Sequence, residues 1–267
     1  MPIILYDLRP FYTAVILIVL IETVSMIGLF VTRRFLIPRL HYHDGANDAV
    51  SGTVQAIGVF YGITVGLIAV GVWTTYSKAS DLVSNEAAAI GSLYHDVSGY
   101  PQPLRDDLRS NLRQYTVFVI ERAWPEQKIG RGQHLDGGSR LIDEVQDKLF
   151  TFQPANPGQI ALHAETLGAF NKLIEYRRLR IDAVDGGLST VMWAVIWFGA
   201  AISIGVAYFF NIPDPKLHAI LVLLMGGFLA LVLFMIVIND KPFYGYVSVS
   251  PNPYKLILDR VIDLPGR

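Results

Sequence analysis

The sequence predicts an all-α membrane protein: four transmembrane helices, with a helical cytoplasmic region between the second and third. Three observations carry this reading. The 267-residue chain is 52% hydrophobic and only 17% charged, whereas a soluble domain runs near about 25% charged. The charges are also concentrated, with 13 Lys/Arg and 15 Asp/Glu between Ser77 and Gly187 and only 9 and 8 elsewhere. Finally, four apolar runs each reach the roughly 20 residues that a helix needs to cross a bilayer core. Mean hydropathy of +0.40 and the absence of cysteine exclude disorder and a disulfide scaffold. A net charge of −1 and a pI near 6.6 exclude the basic excess of a nucleic-acid binder.

The first run, Phe11–Val31, carries one charge, Glu22, and stops at Thr32-Arg33-Arg34. It is too long for a signal-peptide core and no small-residue cleavage site follows, so it reads as an anchor. Val54–Tyr76 and Leu188–Phe210 carry no charge, and Leu217–Ile238 carries only His218 at its edge. The expected organisation is an N-terminal transmembrane pair (1–76), a helical region (77–187), a C-terminal transmembrane pair (188–238) and a cytoplasmic tail (239–267). Lys and Arg near the span ends number four on one side and ten on the other. The positive-inside rule then places both termini and the middle region in the cytoplasm of a bacterial inner membrane, with Arg33-Arg34 arguing the other way.

Within 77–187, Val83, Ala87, Ile90 and Leu93 recur at helical spacing. No Gly or Pro interrupts Thr74–Ile90, so the second span is expected to continue as helix for about 20 residues, roughly 30 Å. Gly99-Tyr100-Pro101 ends it. Leu104, Leu108, Leu112, Tyr115, Val119 and Trp124 form the next stripe, up to Pro125. A loop containing Gly130, Gly132, Gly137 and Gly138 follows, then a helix near 139–152 and a last one near 158–182, separated by Pro154 and Pro157.

Catalytic and metal chemistry find little support. Without cysteine there is no thiolate, and the six histidines are scattered apart from His41-Tyr42-His43-Asp44, which reads most simply as a polar turn. Tyr94-His95-Asp96 has no nucleophile placed beside it, and no phosphate-binding glycine motif occurs. The expectation is no enzyme, cofactor or metal, with the lipid bilayer, small inorganic ions and further copies of the chain as partners.

The second span has two faces. Gly58, Gly62, Gly66 and Ala69 make a strip of small residues suited to close helix packing, within one subunit or between subunits. Opposite lie Phe60, Ile63, Leu67, Val70 and Thr74, an apolar strip that either faces lipid or forms a dewetting constriction. Beyond the span, Asn85 and Glu86 read as a solvated face or as half of an ion pair, with Arg177 or Arg178 the expected partner. A vestibule charge affecting ion entry is the sharper use. Arg177, Arg178 and Arg180 also suit a juxtamembrane patch touching anionic lipid, worth about 1 kcal/mol each.

Glu22 is the intramembrane acid. A charge at the bilayer centre costs about 2.5–3.5 kcal/mol on insertion scales, so such groups usually face a bundle interior or water. Two readings stay open at this point: a protonated carboxyl bonded to a neighbouring helix, or a cavity-facing group that senses protons or shapes ion selectivity.

A resemblance narrows the function. The second span followed by Asn85-Glu86-Ala87-Ala88-Ala89-Ile90-Gly91, Leu93-Tyr94, Pro101, Leu104-Arg105, Leu112 and Tyr115 resembles the bestrophin-like bacterial membrane family. So does the C-terminal run Asp240-Lys241-Pro242-Phe243, Gly245 and Val247-Ser248-Val249-Ser250-Pro251. The resemblance covers about 54–258. It implies kinship with bestrophin anion channels, which are pentamers with four spans, cytoplasmic termini and a pore neck on the second span. No bestrophin neck sequence or acidic calcium clasp is present as a contiguous motif. The expectation is an oligomeric channel for small ions, with anions and five subunits implied by the resemblance and the Phe60–Thr74 strip as its lining. A non-conducting scaffold or sensor whose helical region binds a partner is the alternative. A proton-coupled transporter resting on Glu22 is a third option.

Overall fold

A computed structural model of the chain describes residues 4–40, 45–130 and 136–263. Among them the secondary structure is entirely helical: α1 (Ile4–Asp7), α2 (Pro10–Val31), α3 (Ala46–Asp96), α4 (Leu104–Phe118), α5 (Trp124–Lys128), α6 (Asp136–Thr151), α7 (Pro157–Val184), α8 (Thr190–Ala207), α9 (Pro215–Asp240) and α10 (Asn252–Ile257). Helices α2, α3, α8 and α9 are long and apolar enough to cross a membrane. The expected His41–His43 turn, His134 and the Gly132 part of the glycine loop lie outside the described residues.

Local chemistry explains most boundaries. Pro10 begins α2, where a missing N–H costs nothing. Asn156 caps α7 by accepting from the Gln159 N–H at 2.9 Å, with Pro157 in the first turn. Ser189 caps α8 by accepting from Met192, so the third span starts at Thr190, two residues later than its apolar run. Pro125 does not end the helix before it, as the sequence suggested. A wide π-type turn at Val119–Ala123 joins α4 to α5, and the proline falls in the first turn of α5, where its missing N–H is harmless.

The chain divides into two units, Met1–Thr74 with Gly187–Asp240 and Thr75–Gly186 with Lys241–Arg267. In the first, α2 and α9 pack most closely. Leu17, Ile21 and Leu29 of α2 meet Val222, Leu229, Leu233, Ile236 and Val237 of α9, with Trp193 and Ile196 of α8 and Val65, Ala69 and Val72 of α3 completing the core. Small residues make the close approaches: the Tyr61 ring lies directly over Gly199, and its hydroxyl donates to the Ile196 carbonyl at 2.9 Å. In the second unit, Val83, Ala87, Ile90 and Leu93 of α3 face Leu108, Leu112 and Tyr115 of α4, Val145 and Leu149 of α6 and Phe170 and Leu173 of α7. Each fully buried Leu or Phe there contributes about 1.5–3 kcal/mol.

Residues 241–263 pack into this second unit rather than standing apart as a tail. The Gly245 N–H donates to the Lys128 carbonyl at 3.1 Å, and the Trp124 indole N–H donates to the Val249 carbonyl at 3.2 Å. Phe243 and Tyr254 stand edge-on to the Trp124 ring, with centroids 5.8 and 5.7 Å away.

Gly199→Ala should set a methyl against the tethered Tyr61 ring and lower stability by about 1–3 kcal/mol. Gly205→Ala on the same helix, where nothing lies within 4 Å, should cost nothing. Thermal unfolding of both variants in detergent measures the contrast, and equal behaviour would show that the Tyr61 contact does not constrain α8.

Candidate functional site

The apolar face of α3 in the first unit is uncovered. Phe60, Ile63, Leu67 and Val70 are exposed, Phe60 at 74% and Leu67 at 69%. At 100° per residue they share one narrow arc with Thr74, whose hydroxyl donates to the Val70 carbonyl at 2.8 Å. The small-residue strip splits. Ala69 is buried in the core beside Val65 and Val72, whereas no other part of the chain comes within 4 Å of a Cβ built on Gly58, Gly62 or Gly66. Among the described residues those three glycines are therefore open to the outside of the unit.

Glu22 faces α9. A Cβ at Gly226 would stand 3.2 Å from its Oε2, and one at Gly227 would stand 3.0 Å from its Oε1. Oε2 is buried without a hydrogen-bond partner among the described residues. The Ser25 hydroxyl, one turn on, donates to the Ile21 carbonyl at 2.7 Å.

In the second unit Glu86 is fully buried, and its partner is Arg180 rather than Arg177 or Arg178. The guanidinium donates Nε to Oε2 at 2.5 Å and Nη2 to Oε1 at 3.3 Å, and the Tyr115 hydroxyl donates to Oε1 at 2.6 Å. Three arginines within four residues cannot be told apart by spacing. The rotation of α7, which turns Thr166, Phe170, Leu173 and Arg180 inward, selects Arg180. Arg177 instead donates to Ser139 Oγ at 2.9 Å, and exposed Arg178 lies 4.0 Å from Asp182. Burial opposes the Arg180 charge, but Glu86 and then the phenols of Tyr254 and Tyr115 outweigh it, holding the guanidinium above its ordinary pKa. The same burial, reinforced by the Glu86 charge, pushes the phenols of Tyr115 and Tyr254 up. Asn85 is exposed and borders a groove of about 500 Å³ between α3 and α7, where Asp96, Glu165, Lys172 and Tyr176 also stand.

Two polar clusters escaped the sequence reading. Asp240 accepts from the Tyr6 hydroxyl and from the Leu188 N–H, both at 2.6 Å. Arg33 donates to the Ile212 carbonyl and to His218 Nδ1, both at 3.0 Å, while His218 Nε2 donates to the Ala207 carbonyl. The signal was present in each case, as an ionisable residue at the edge of an apolar run. No group of three metal-ligating side chains occurs among the described residues.

Arg180→Met should leave Glu86 buried without its counter-charge and lower stability by about 3–5 kcal/mol, while adding Glu86→Gln should recover much of that. If the double variant is no more stable than the single one in denaturant unfolding, uncompensated charge is not the cause. The raised phenols act in the alkaline range. Folding holds Tyr115 and Tyr254 protonated above the ordinary tyrosine value of about 10, so their stabilising contribution is complete below about pH 10 and lost as pH rises beyond it. Replacing both with Phe should flatten the alkaline limb of the stability–pH curve.

The fold has known counterparts. A crystal structure described only as a membrane protein carrying a single substitution is similar over 94% of this chain and 99% of its own, with 8% identity and a TM-score of 0.68. Two structures of a bacterial bestrophin homolog from Klebsiella pneumoniae, each with one mutation, match at TM-scores of 0.67, with 8% and 9% identity. They cover 95% and 94% of this chain and 99% of theirs. No curated protein sequence matches. At such identities the likeness speaks for the fold alone. The model of the bestrophin-like domain, however, matches residues 19–254, nearly the whole chain, and the protein therefore belongs to the bestrophin-like family.

Proposed function

We propose that this protein is an oligomeric ion channel of a bacterial inner membrane, with the α3 face of Phe60, Ile63, Leu67, Val70 and Thr74 lining the pore. The observation that carries the reading is that face itself. Four large apolar side chains share one arc of a membrane-length helix, uncovered by their own chain, while Val65, Ala69 and Val72 hold the opposite side in the core. Family membership and the described bestrophin homologs support assigning that face to a pore rather than to lipid. An apolar ring gates by dewetting. The open Gly58, Gly62 and Gly66 strip suits close approach of a neighbouring copy's helix. Five subunits and a preference for small anions follow from the resemblance to bestrophin channels. Both termini and the second unit are cytoplasmic in this reading. Because Glu86 and Arg180 neutralise each other, the vestibule charge falls to exposed groups such as Arg178, with Asn85 exposed on α3.

A second reading, a scaffold whose helical region binds a partner, is favoured by one feature: the open polar groove between α3 and α7. Mass measurement in detergent and recording in planar bilayers separate the two, since a monomer without conductance fits only the scaffold.

Leu67→Ser should raise leak conductance several-fold, because a hydroxyl weakens a dewetting barrier. If both Leu67→Ser and Ile63→Ser assemble and conduct like the parent, the face belongs to lipid or packing. A reporter that is active only in the periplasm should be silent when fused at Gly130, and activity there would invert the topology.

A further inference from the structure

We propose that Glu22 is a reversible proton-binding site built into the seam between α2 and α9 and occupied at neutral pH. The inference goes beyond channel activity and holds whether or not the α3 face lines a pore.

The seam is shaped around the carboxyl group. Gly226 and Gly227 strip α9 to its backbone where the carboxyl lies, and a methyl group at either position would stand 3.2 or 3.0 Å from a carboxyl oxygen. Oε2 is shut off from the surface and has no hydrogen-bond partner among the described residues. The Ser25 hydroxyl, one turn on, spends its proton on the Ile21 carbonyl. Its oxygen stands at the same notch, 3.3 Å from the Gly226 Cβ position.

Among the described residues no cation is placed to neutralise a carboxylate here. Helix α2 carries no other ionisable group between Tyr12 and Arg33, and α8 carries none. Helix α9 offers Lys216 and His218 at its start and Asp240 at its end. Lys216 is ten residues before Gly226, about 15 Å along the axis, and His218 is engaged by Arg33 and the Ala207 carbonyl. Before Thr74, α3 contributes only Asp48 as a charge, with the Tyr61 phenol bound to Ile196. Tyr208 after α8 lies against Gly28 and is hydrogen-bonded to Ser25, and the Tyr6 phenol is taken up by Asp240.

An ionised carboxylate at mid-membrane depth with one oxygen shut off and unpartnered is strongly disfavoured, so the group takes up a neutralising ion. A metal ion demands several oxygen ligands, and the notch offers one carboxyl and one hydroxyl. A proton needs no cage. Losing it would set a bare charge against the α9 backbone, so proton occupancy is linked to how tightly α2 packs on α9.

The test uses the full chain in lipid bilayers. Infrared spectra at neutral pH should show a protonated-carboxyl carbonyl band that disappears in Glu22→Gln and shifts but persists in Glu22→Asp. Dicyclohexylcarbodiimide, across whose C=N bond a protonated carboxyl adds to give an O-acylisourea that rearranges to a stable N-acylurea, should label the parent at Glu22. The labelling rate should fall about tenfold per pH unit above the midpoint and be indifferent to sodium chloride. The proposal is overturned if the parent lacks the band, or if the band survives in Glu22→Gln. Should Glu22→Gln fail to fold, labelling of the parent decides alone, and absence of label at every pH overturns it. Protection by sodium at constant pH would make the site one for a metal cation and overturn it equally. None of these readouts depends on conductance, so a failed channel reading leaves them standing.

Discussion

A backbone N–H or C=O in hydrocarbon has no water to bond, and that constraint governs the first unit. It is met by making every span an uninterrupted helix and by confining irregular backbone to the span ends. The polar side chains then gather where helix termini leave groups unpaired. Asp240 takes up the Leu188 N–H just before α8 begins, while Arg33 and His218 take up the Ile212 and Ala207 carbonyls after it ends. Three ionisable residues at the margins of apolar runs thus complete the hydrogen bonding that the spans begin. Inside lipid there is no hydrophobic drive between helices, so contact relies on shape. Tyr61 over Gly199, Tyr208 over Gly28 and Glu22 over Gly226-Gly227 repeat one device: a side chain laid on bare backbone.

The second unit is held by a different force. Its helices are amphipathic and bury Leu, Ile, Val and aromatic side chains in one core, with the Glu86–Arg180 pair and Tyr115 set within it. Such a pair contributes less than its short distances suggest, because removing both charges from water offsets the attraction. What it does is join α3 to α7 at one fixed point, with the Tyr115 hydroxyl adding α4 and Tyr254 packed close by. The C-terminal segment closes this core through Trp124, Phe243 and Tyr254, which gives the Asp240–Pro251 signature two physical roles. Asp240 serves the span ends, and the residues after it complete the other unit.

Two kinds of polarity serve two ends. The α3 face is apolar and uncovered, so in the proposed channel it acts on water and ions by repelling them. Glu22 is half-buried with its Oε2 shut off from partners, so in the proposed site it acts by holding or losing a proton. One helix presents the first and another the second, and each is accompanied by glycines, which keep backbone accessible at Gly58, Gly62 and Gly66 and at Gly226 and Gly227.

Sequence alone determined the four spans, the helical middle region and the unbroken run through α3, because hydropathy and 3.6-residue periodicity are local properties and the medium enforces helices. It also singled out Glu22, Glu86 and the two faces of α3, because an acid among apolar residues and a glycine every four residues need no partner to be noticed. Tertiary structure decided what each meets. Arg180 was chosen over its two neighbours by a rotation of α7 that spacing does not encode. Ala69 parted from the glycines because the core of the first unit reaches only one edge of that strip. The place of residues 241–263 in the second unit depends on contacts with Lys128 and Trp124 more than a hundred residues earlier, and no local pattern carries information over that distance.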